Sequence, residues 1–266
     1  MKRIYILLLA IVWCFTAIGQ TGPITGPLTV CSTYQVTLSC SPGDCTWSSS
    51  NPSIATIGSS SGLVTAGLTA GVVTITYNCG SSGFSTAQLT VNPLPATITC
   101  PTSGCNVCLG GSITVTDPTP GGIWSTQNPS IATVGSSSGI VNGLSVGTTV
   151  LSYALVPTGC FVTSLITVFP NPSAITITGS SSICVGSTTT VTATPPLGTP
   201  PGTWSSSPVT VATISSGGVI TGVGAGVATI TYMLGTGCFS VTTVTVCPTP
   251  AAIPCPSSAK PCNMCV

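Results

Sequence analysis

Cysteine is the residue type in this chain with the widest chemical reach. It occurs 15 times in 266 residues and can act as nucleophile, metal ligand or disulfide partner. Cys105-Asn-Val-Cys108 and Cys262-Asn-Met-Cys265 show the two-residue gap that zinc sites and thiol–disulfide exchange motifs share. An exchange motif needs a strand-to-helix setting, and neither segment has one. A zinc site would have to be built from cysteine alone, because the chain contains no His and no Glu. Both motifs are therefore read as disulfide cysteines, and no metal and no cofactor are expected. The only carboxylates are Asp44 and Asp117, which fall in loop-like segments of different repeats. General acid–base catalysis needs positioned groups that titrate near the working pH. No catalytic residue is expected, and the chain is read as not an enzyme.

The remaining charges are Lys2, Arg3 and Lys260. Phosphate neutralisation requires clustered Lys and Arg, so nucleic acid is excluded as a partner. Lys2-Arg3 begins a pattern of its own: an apolar run from Ile4 to Phe15, then Ala17-Ile18-Gly19 with small residues at both cleavage-determining positions. These are the three parts of an export signal, so residues 1–19 are read as a signal peptide cut before Gln20. The apolar run is too short for a bilayer, which needs about 20 residues. Mean hydropathy is +0.66 because charges are missing. Beyond residue 20, Thr or Ser interrupts every hydrophobic stretch, so no membrane span is expected in the mature chain. Cleavage after Gly19 leaves 14 cysteines. An even set behind an export signal points to disulfides in an oxidising compartment, hence a secreted or cell-surface protein.

The elements that must position these cysteines come from a repeated phrase. Trp47 to Ile57, Trp124 to Val134 and Trp204 to Ile214 are three versions of it, and the tryptophans lie 77 and 80 residues apart. That period suits a small all-β domain better than a solenoid turn. Alternation of Thr with Val and Ile recurs throughout, as in Val73-Thr-Ile-Thr-Tyr77 and Ala228-Thr-Ile-Thr-Tyr232, with Gly, Pro, Asn and Ser between the runs. In the second copy the spacing predicts seven strands. One ends near Cys108, and the others lie over 112–116, 123–125, 131–134, 139–143, 148–154 and 161–168. The mature chain is read as all-β, in antiparallel sandwiches. Its parts are repeats over 20–94, 95–172 and 173–248, then a Cys/Pro-rich tail over 249–266. Asn92-Pro-Leu-Pro95, Pro170-Asn-Pro172 and Cys247-Pro-Thr-Pro250 are stiff connectors. Trp47, Trp124 and Trp204, with Tyr77, Tyr153 and Tyr232, are the expected core anchors. Gly62, Gly139 and Gly217-Gly218 mark turns that call for positive φ.

The combined motif resembles the bacterial immunoglobulin-like domain, group 2. It runs Trp-Ser-Ser-Ser-Asn-Pro-Ser-Ile-Ala-Thr, then Ser-Ser-Gly-Leu-Val-Thr, then Ala-Gly-Val-Val-Thr-Ile-Thr-Tyr, and versions of it cover Trp47 to Tyr77, Trp124 to Tyr153 and Trp204 to Tyr232. The resemblance implies three tandem seven-stranded immunoglobulin-like sandwiches in a bacterial surface or secreted protein, of a family rich in adhesins, with no catalytic residues. This chain has far less charge and far more cysteine than the family pattern leads one to expect.

Cys108 and Cys184 share one position, before the first Gly turn, and Cys160 and Cys238 share another, each followed by Phe at the last hairpin. Pairing within repeats, Cys108–Cys160 and Cys184–Cys238, is the preferred reading, with about 4 kcal/mol per bridge on the chain-entropy model. A rival scheme joins the first-turn cysteine of one repeat to the last-hairpin cysteine of the next. It explains why the first repeat has Gly83 where the others have cysteine, but it leaves odd thiols. In the first repeat Tyr77-x-Cys79, with Cys40 upstream and Trp47 between, echoes the inter-sheet bridge of immunoglobulin domains. Cys40–Cys79 and Cys31–Cys79 are both open. The tail repeats the cysteine pattern that opens the second repeat, as though a fourth repeat were starting.

The expected function is a non-enzymatic exported rod of tandem immunoglobulin-like domains, a cell-surface spacer or adhesion module. The alternatives are a glycan- or surface-binding module and a homotypically assembling extracellular matrix protein. Expected partners are other surface proteins or glycans, with self-association a further option.

Overall fold

Thr, Val and Ile in alternation favour extended backbone with one buried face, and the chain is built of strands. The structure is a computed structural model that describes residues 21–41, 43–101 and 104–249. The predicted leader and nearly all of the tail, with Cys255, Cys262, Cys265 and Lys260, lie outside the described residues.

The first stretch forms β1 (Thr29–Cys31), β2 (Gln35–Thr37), β3 (Thr46–Ser49), β4 (Ala55–Ile57), β5 (Leu63–Ala66), β6 (Gly71–Asn78) and β7 (Phe84–Asn92). These make a sheet ordered β1-β7-β6-β3 and a second ordered β2-β5-β4. β1 runs parallel to β7, with Cys31 opposite Asn92, whereas β6 is antiparallel to both β7 and β3. Val73, Ile75 and Tyr77 alternate inward from β6 and meet Leu38, Val64, Leu89 and Val91 in one core. Each such side chain contributes about 1.5–3 kcal/mol on burial.

The second stretch repeats the plan with β8 (Cys105–Cys108), β9 (Ser112–Thr114), β10 (Gly122–Thr126), β11 (Ala132–Val134), β12 (Ile140–Gly143), β13 (Gly147–Leu155) and β14 (Phe161–Phe169). Its sheets are ordered β10-β13-β14-β8 and β11-β12-β9. The third has β15 (Thr176–Thr178), β16 (Ser182–Cys184), β17 (Thr188–Thr192), β18 (Thr203–Ser207), β19 (Ala212–Ile214), β20 (Val219–Gly222), β21 (Gly226–Met233) and β22 (Phe239–Cys247). Here the sheets are β16-β22-β21-β18 and β15-β17-β20-β19. The extra strand β15 extends a contact that the earlier stretches make only as single bridges, Thr25 to Ser39 and Thr99 to Thr116.

By contact density the chain divides into two compact units. Among the described residues, one holds the chain through Leu94 together with the loop Leu155–Cys160; the other holds Pro95–Ala154 and the chain from Phe161 onward.

The repeated phrase has a local physical cause. Ser49, Thr126 and Ser206 each donate a side-chain hydrogen bond across the turn to the carbonyl of Ala55, Ala132 or Ala212, at 2.7, 2.8 and 2.8 Å. Those alanines are fully buried. Asn51 and Asn128 accept from the backbone N–H and hydroxyl of Ser53 and Ser130, closing the turn before β4 and β11. Pro208 stands in the third copy instead of the asparagine.

One backbone position invites a substitution. Gly110 and Gly186 turn the chain after β8 and β16 with φ of 75° and 83°, and Thr33 holds the same place after β1 with φ of 69°. A β-branched residue in the left-handed region is strained. Thr33→Gly is expected to raise the stability of the first sheet pair by about 1 kcal/mol, the left-handed penalty less the entropy cost of glycine. A guanidinium titration of the two proteins checks it.

Candidate functional site

Two constellations stand out: an aromatic clamp that recurs in all three stretches, and a set of cysteines at first turns and last hairpins. In the clamp, Trp47 faces Tyr77 across β3 and β6, and Trp204 faces Tyr232 across β18 and β21. The ring centroids of Trp47–Tyr77, Trp124–Tyr153 and Trp204–Tyr232 lie 4.4, 4.6 and 4.7 Å apart at tilts of 44–47°. Trp47 and Trp124 are buried, Trp204 is half-buried, and the three tyrosines are buried. The tyrosine hydroxyls are held too. Tyr153 accepts from the Gly122 N–H at 3.1 Å and donates to the Thr119 carbonyl at 2.6 Å. Tyr77 and Tyr232 accept from the N–H groups of Cys45 and Gly202. A buried hydroxyl paired in this way is part of the frame and is not presented to a ligand.

The indole needs a glycine beside it. Gly139 has φ of 66°, and a Cβ there would meet the Val115 carbonyl and lie 3.3 Å from the Trp124 Nε1. Gly62 and Gly218, with φ of 67° and 80°, hold the matching positions against Leu38 and Val191.

The cysteines are arranged differently from the preferred within-repeat reading. Cys31 is bonded to Cys160, 129 residues on, and Cys108 to Cys238, 130 residues on. Cys108–Cys160 and Cys184–Cys238 are not formed. Strand register gives the reason. Cys108 lies opposite Phe169, the last residue of β14, while Cys160 precedes Phe161, its first. Eight steps of strand separate the two ends, about 27 Å, against the roughly 7 Å that a disulfide spans between Cα atoms. Cys184 lies opposite Cys247 at the end of β22 and is equally remote from Cys238 at its start. Cys184 is disulfide-bonded.

The first repeat corrects a second expectation. Cys79 is bonded to Cys45 and to neither Cys40 nor Cys31. Thr46 pairs with Asn78 and Trp47 with Tyr77, so antiparallel register sets Cys45 opposite Cys79. Cys31 sits at the far end of β7, opposite Asn92. Cys100–Cys105 is a further bridge. Cys45, Cys100 and Cys105 were not among the residues singled out by pairing logic. For Cys45 the available signal was its equal offset from Trp47 to that of Cys79 from Tyr77. Cys40 and Cys247 are the unbridged thiols among the described residues, and the Cys40 Sγ donates to the Gly22 carbonyl at 3.0 Å.

Around the Cys108–Cys238 bridge the second unit is apolar. Cys238 is fully buried with Tyr232 and Leu234, and Cys108, Phe169, Ile175, Ala193 and Trp204 pack on them. The hairpin is closed by the Leu234 N–H donating to the Cys238 carbonyl at 2.8 Å. In the first unit the loop Leu155–Cys160 has the same closure, Leu155 N–H to Cys160 carbonyl at 2.9 Å, and both residues are buried. Leu-to-Cys hairpins thus act as plugs, each covalently fastened to a first-turn cysteine.

Asp117 shapes a loop, accepting the Thr119 N–H at 2.8 Å, and Asp44 is exposed. Among the described residues no group of three His, Cys, Asp or Glu side chains could hold a metal ion, and no helix is long and apolar enough to cross a membrane.

Paired sheets, antiparallel except where β1, β8 and β16 run parallel to β7, β14 and β22, with an aromatic clamp between them define an all-β protein of immunoglobulin-like fold. Residues 25–91 match the family model of the bacterial Ig-like domain (group 2). No curated protein matches the chain. Among solved structures, surface layer protein SbsC, domains 1–6, is similar at 18% identity over 87% of this chain and 41% of that chain, with a TM-score of 0.27. This chain therefore spans about two fifths of that one. The C-terminal 282-residue fragment of intimin, in complex with the intimin-binding domain of the translocated intimin receptor, is similar at 15% identity over 57% of this chain and 63% of that chain, with a TM-score of 0.35. Drosophila N-cadherin EC1-4 is similar at 11% identity over 86% of this chain and 73% of that chain, with a TM-score of 0.25.

Proposed function

We propose that this chain is a non-enzymatic exported protein, a surface spacer or adhesion module made of three tandem immunoglobulin-like sandwiches over 20–94, 95–172 and 173–248. The observation that carries this reading is the pair of long-range bridges, Cys31–Cys160 and Cys108–Cys238. Each ties one repeat to the hairpin of the next. Such bridges persist only where thiols are kept oxidised, which accords with the export-signal pattern of residues 1–19. They spend covalent chemistry on holding modules in series, which is the task of a spacer. With no His and no Glu, and its two Asp residues in different repeats, the chain offers no paired acid and base for turnover.

Protease shaving of intact source cells tests the location. Loss of the protein from unbroken cells is the expected result, and recovery only from the cytosol with reduced thiols would sink the reading. Partners are expected to be other surface proteins or glycans. Among the described residues only Asp44 and Asp117 carry charge, so binding to any partner is expected to change less than about twofold between low salt and about 1 M salt, where the Debye length falls to about 3 Å. Surface plasmon resonance against an immobilised surface extract measures this.

Self-association is the second reading, favoured by uncharged outward sheet faces such as Val227, Thr229, Val241 and Thr243 on β21 and β22. Against it, the edge strands β4, β11 and β19 are only three residues long, which blunts strand addition without charge. Sedimentation over a range of concentrations separates the two.

A further inference from the structure

We infer that the crossed bridges make the chain a load-sharing tether that survives backbone cleavage. The loops closed by Cys31–Cys160 and Cys108–Cys238 interleave, because Cys108 lies inside the first and Cys160 inside the second. Joining Cys31 to Cys160 makes one covalent node, and joining Cys108 to Cys238 makes another. Three polypeptide segments then run between the same two nodes: Cys31 to Cys108, Cys108 to Cys160, and Cys160 to Cys238. Bridges within repeats would have left a single strand of backbone at each linker. The observed pairing leaves three routes in parallel.

Two properties follow. Cutting any one of the three segments, or one cut in each of two, leaves the nodes joined. Extension is also capped by the shortest segment, Cys108 to Cys160, which is 52 residues long by its numbering. At about 3.4 Å per residue, with the two bridges added, the span from Cys31 to Cys238 cannot exceed about 190 Å while oxidised, against about 700 Å when reduced. The network is a property of connectivity and does not depend on where the protein resides. It gives a charge-poor spacer tolerance to proteolytic nicking and a hard limit to stretching.

The test places a site-specific protease sequence after Pro93, and in a second variant between Ser173 and Ala174, both outside strands. Each protein, and a third carrying both sites, is cut, its thiols are blocked, and it is denatured in detergent without reductant. All three are expected to migrate as one full-length species and to separate only on reduction. In a Cys108→Ala/Cys238→Ala background the cut at 173 should release a fragment while the cut at 93 should not. Cutting is first carried to completion, with a fully split reduced lane as the criterion, and release of fragments from the otherwise unaltered cut proteins without reductant would overturn the inference. Single-molecule pulling from handles before Cys31 and after Cys238 gives the second readout. An oxidised trace longer than about 190 Å between the nodes would also overturn it.

Discussion

Replacing Cys108 and Cys238 together by alanine is expected to cost the second unit about 4–5 kcal/mol. The bridge closes a loop of sequence separation 130, and on the chain-entropy model a loop of that size restrains the unfolded chain by about 5 kcal/mol. The folded state loses less. Tyr232, Leu234, Phe169, Ala193 and Trp204 still pack around the vacated site, so the hairpin should keep its place under native conditions and open early in denaturant. Trp204 belongs to this cluster and reports the opening by fluorescence in a guanidinium titration. Single replacement of Cys108 should cost about as much as the double, because either change removes the whole bridge. Cys40→Ser is the control: Cys40 carries no bridge, and its replacement should shift stability by less than about 1 kcal/mol. A double variant as stable as the parent would show that the bridge does not constrain the unfolded chain.

How far these features can be read from sequence depends on their physical range. The strands of the second stretch were legible because alternation of Thr and Val with inward Ile, Leu and Tyr is a local signal. β9 to β14 fall within two residues of the segments that alternation marks out. The clamp was legible for the same reason, since Trp and Tyr recur at fixed places in each copy. β15 was not: Thr176–Thr178 is a short polar-flanked run, and its pairing with β17 is decided by tertiary packing.

The cysteine pairing is the instructive failure. Cys108 and Cys160 belong to one repeat and recur in the next as Cys184 and Cys238, so sequence proximity favours joining them. Yet β14 carries them to opposite ends of one sheet. Strand length alone, nine residues for β14 and β22, would have excluded the pairing had register been applied first. Gly83 carried the other clue. A first repeat without a hairpin cysteine makes sense only if that cysteine serves the preceding module. The objection that this scheme leaves odd thiols describes the molecule: Cys40 and Cys247 are unbridged.

Trp124→Ala is the second large effect, expected at about 3–5 kcal/mol. Trp124 is 7% exposed and stacks at 4.6 Å on Tyr153, which is 6% exposed. Removing the indole leaves a void bounded by rigid neighbours. Gly139, pressed against the Val115 carbonyl, has no side chain to move in, and its backbone is fixed by donation from the Val115 N–H to the Gly139 carbonyl at 2.9 Å. A site that cannot collapse falls at the upper end of the cavity range. Trp124→Phe keeps a ring against Tyr153 and should lose less than half as much. Tyr153→Phe should cost about 2 kcal/mol by a different route, since the Thr119 carbonyl and Gly122 N–H both lose their partner. Trp124→Ala and Tyr153→Ala combined should fall short of their sum by about 0.5–1.5 kcal/mol, the value of an aromatic pair beyond its buried area. Urea unfolding of the four proteins measures that coupling. Strict additivity would mean that the two rings fill space independently, and the Trp-centred phrase would then owe its threefold recurrence to turn geometry and not to the clamp.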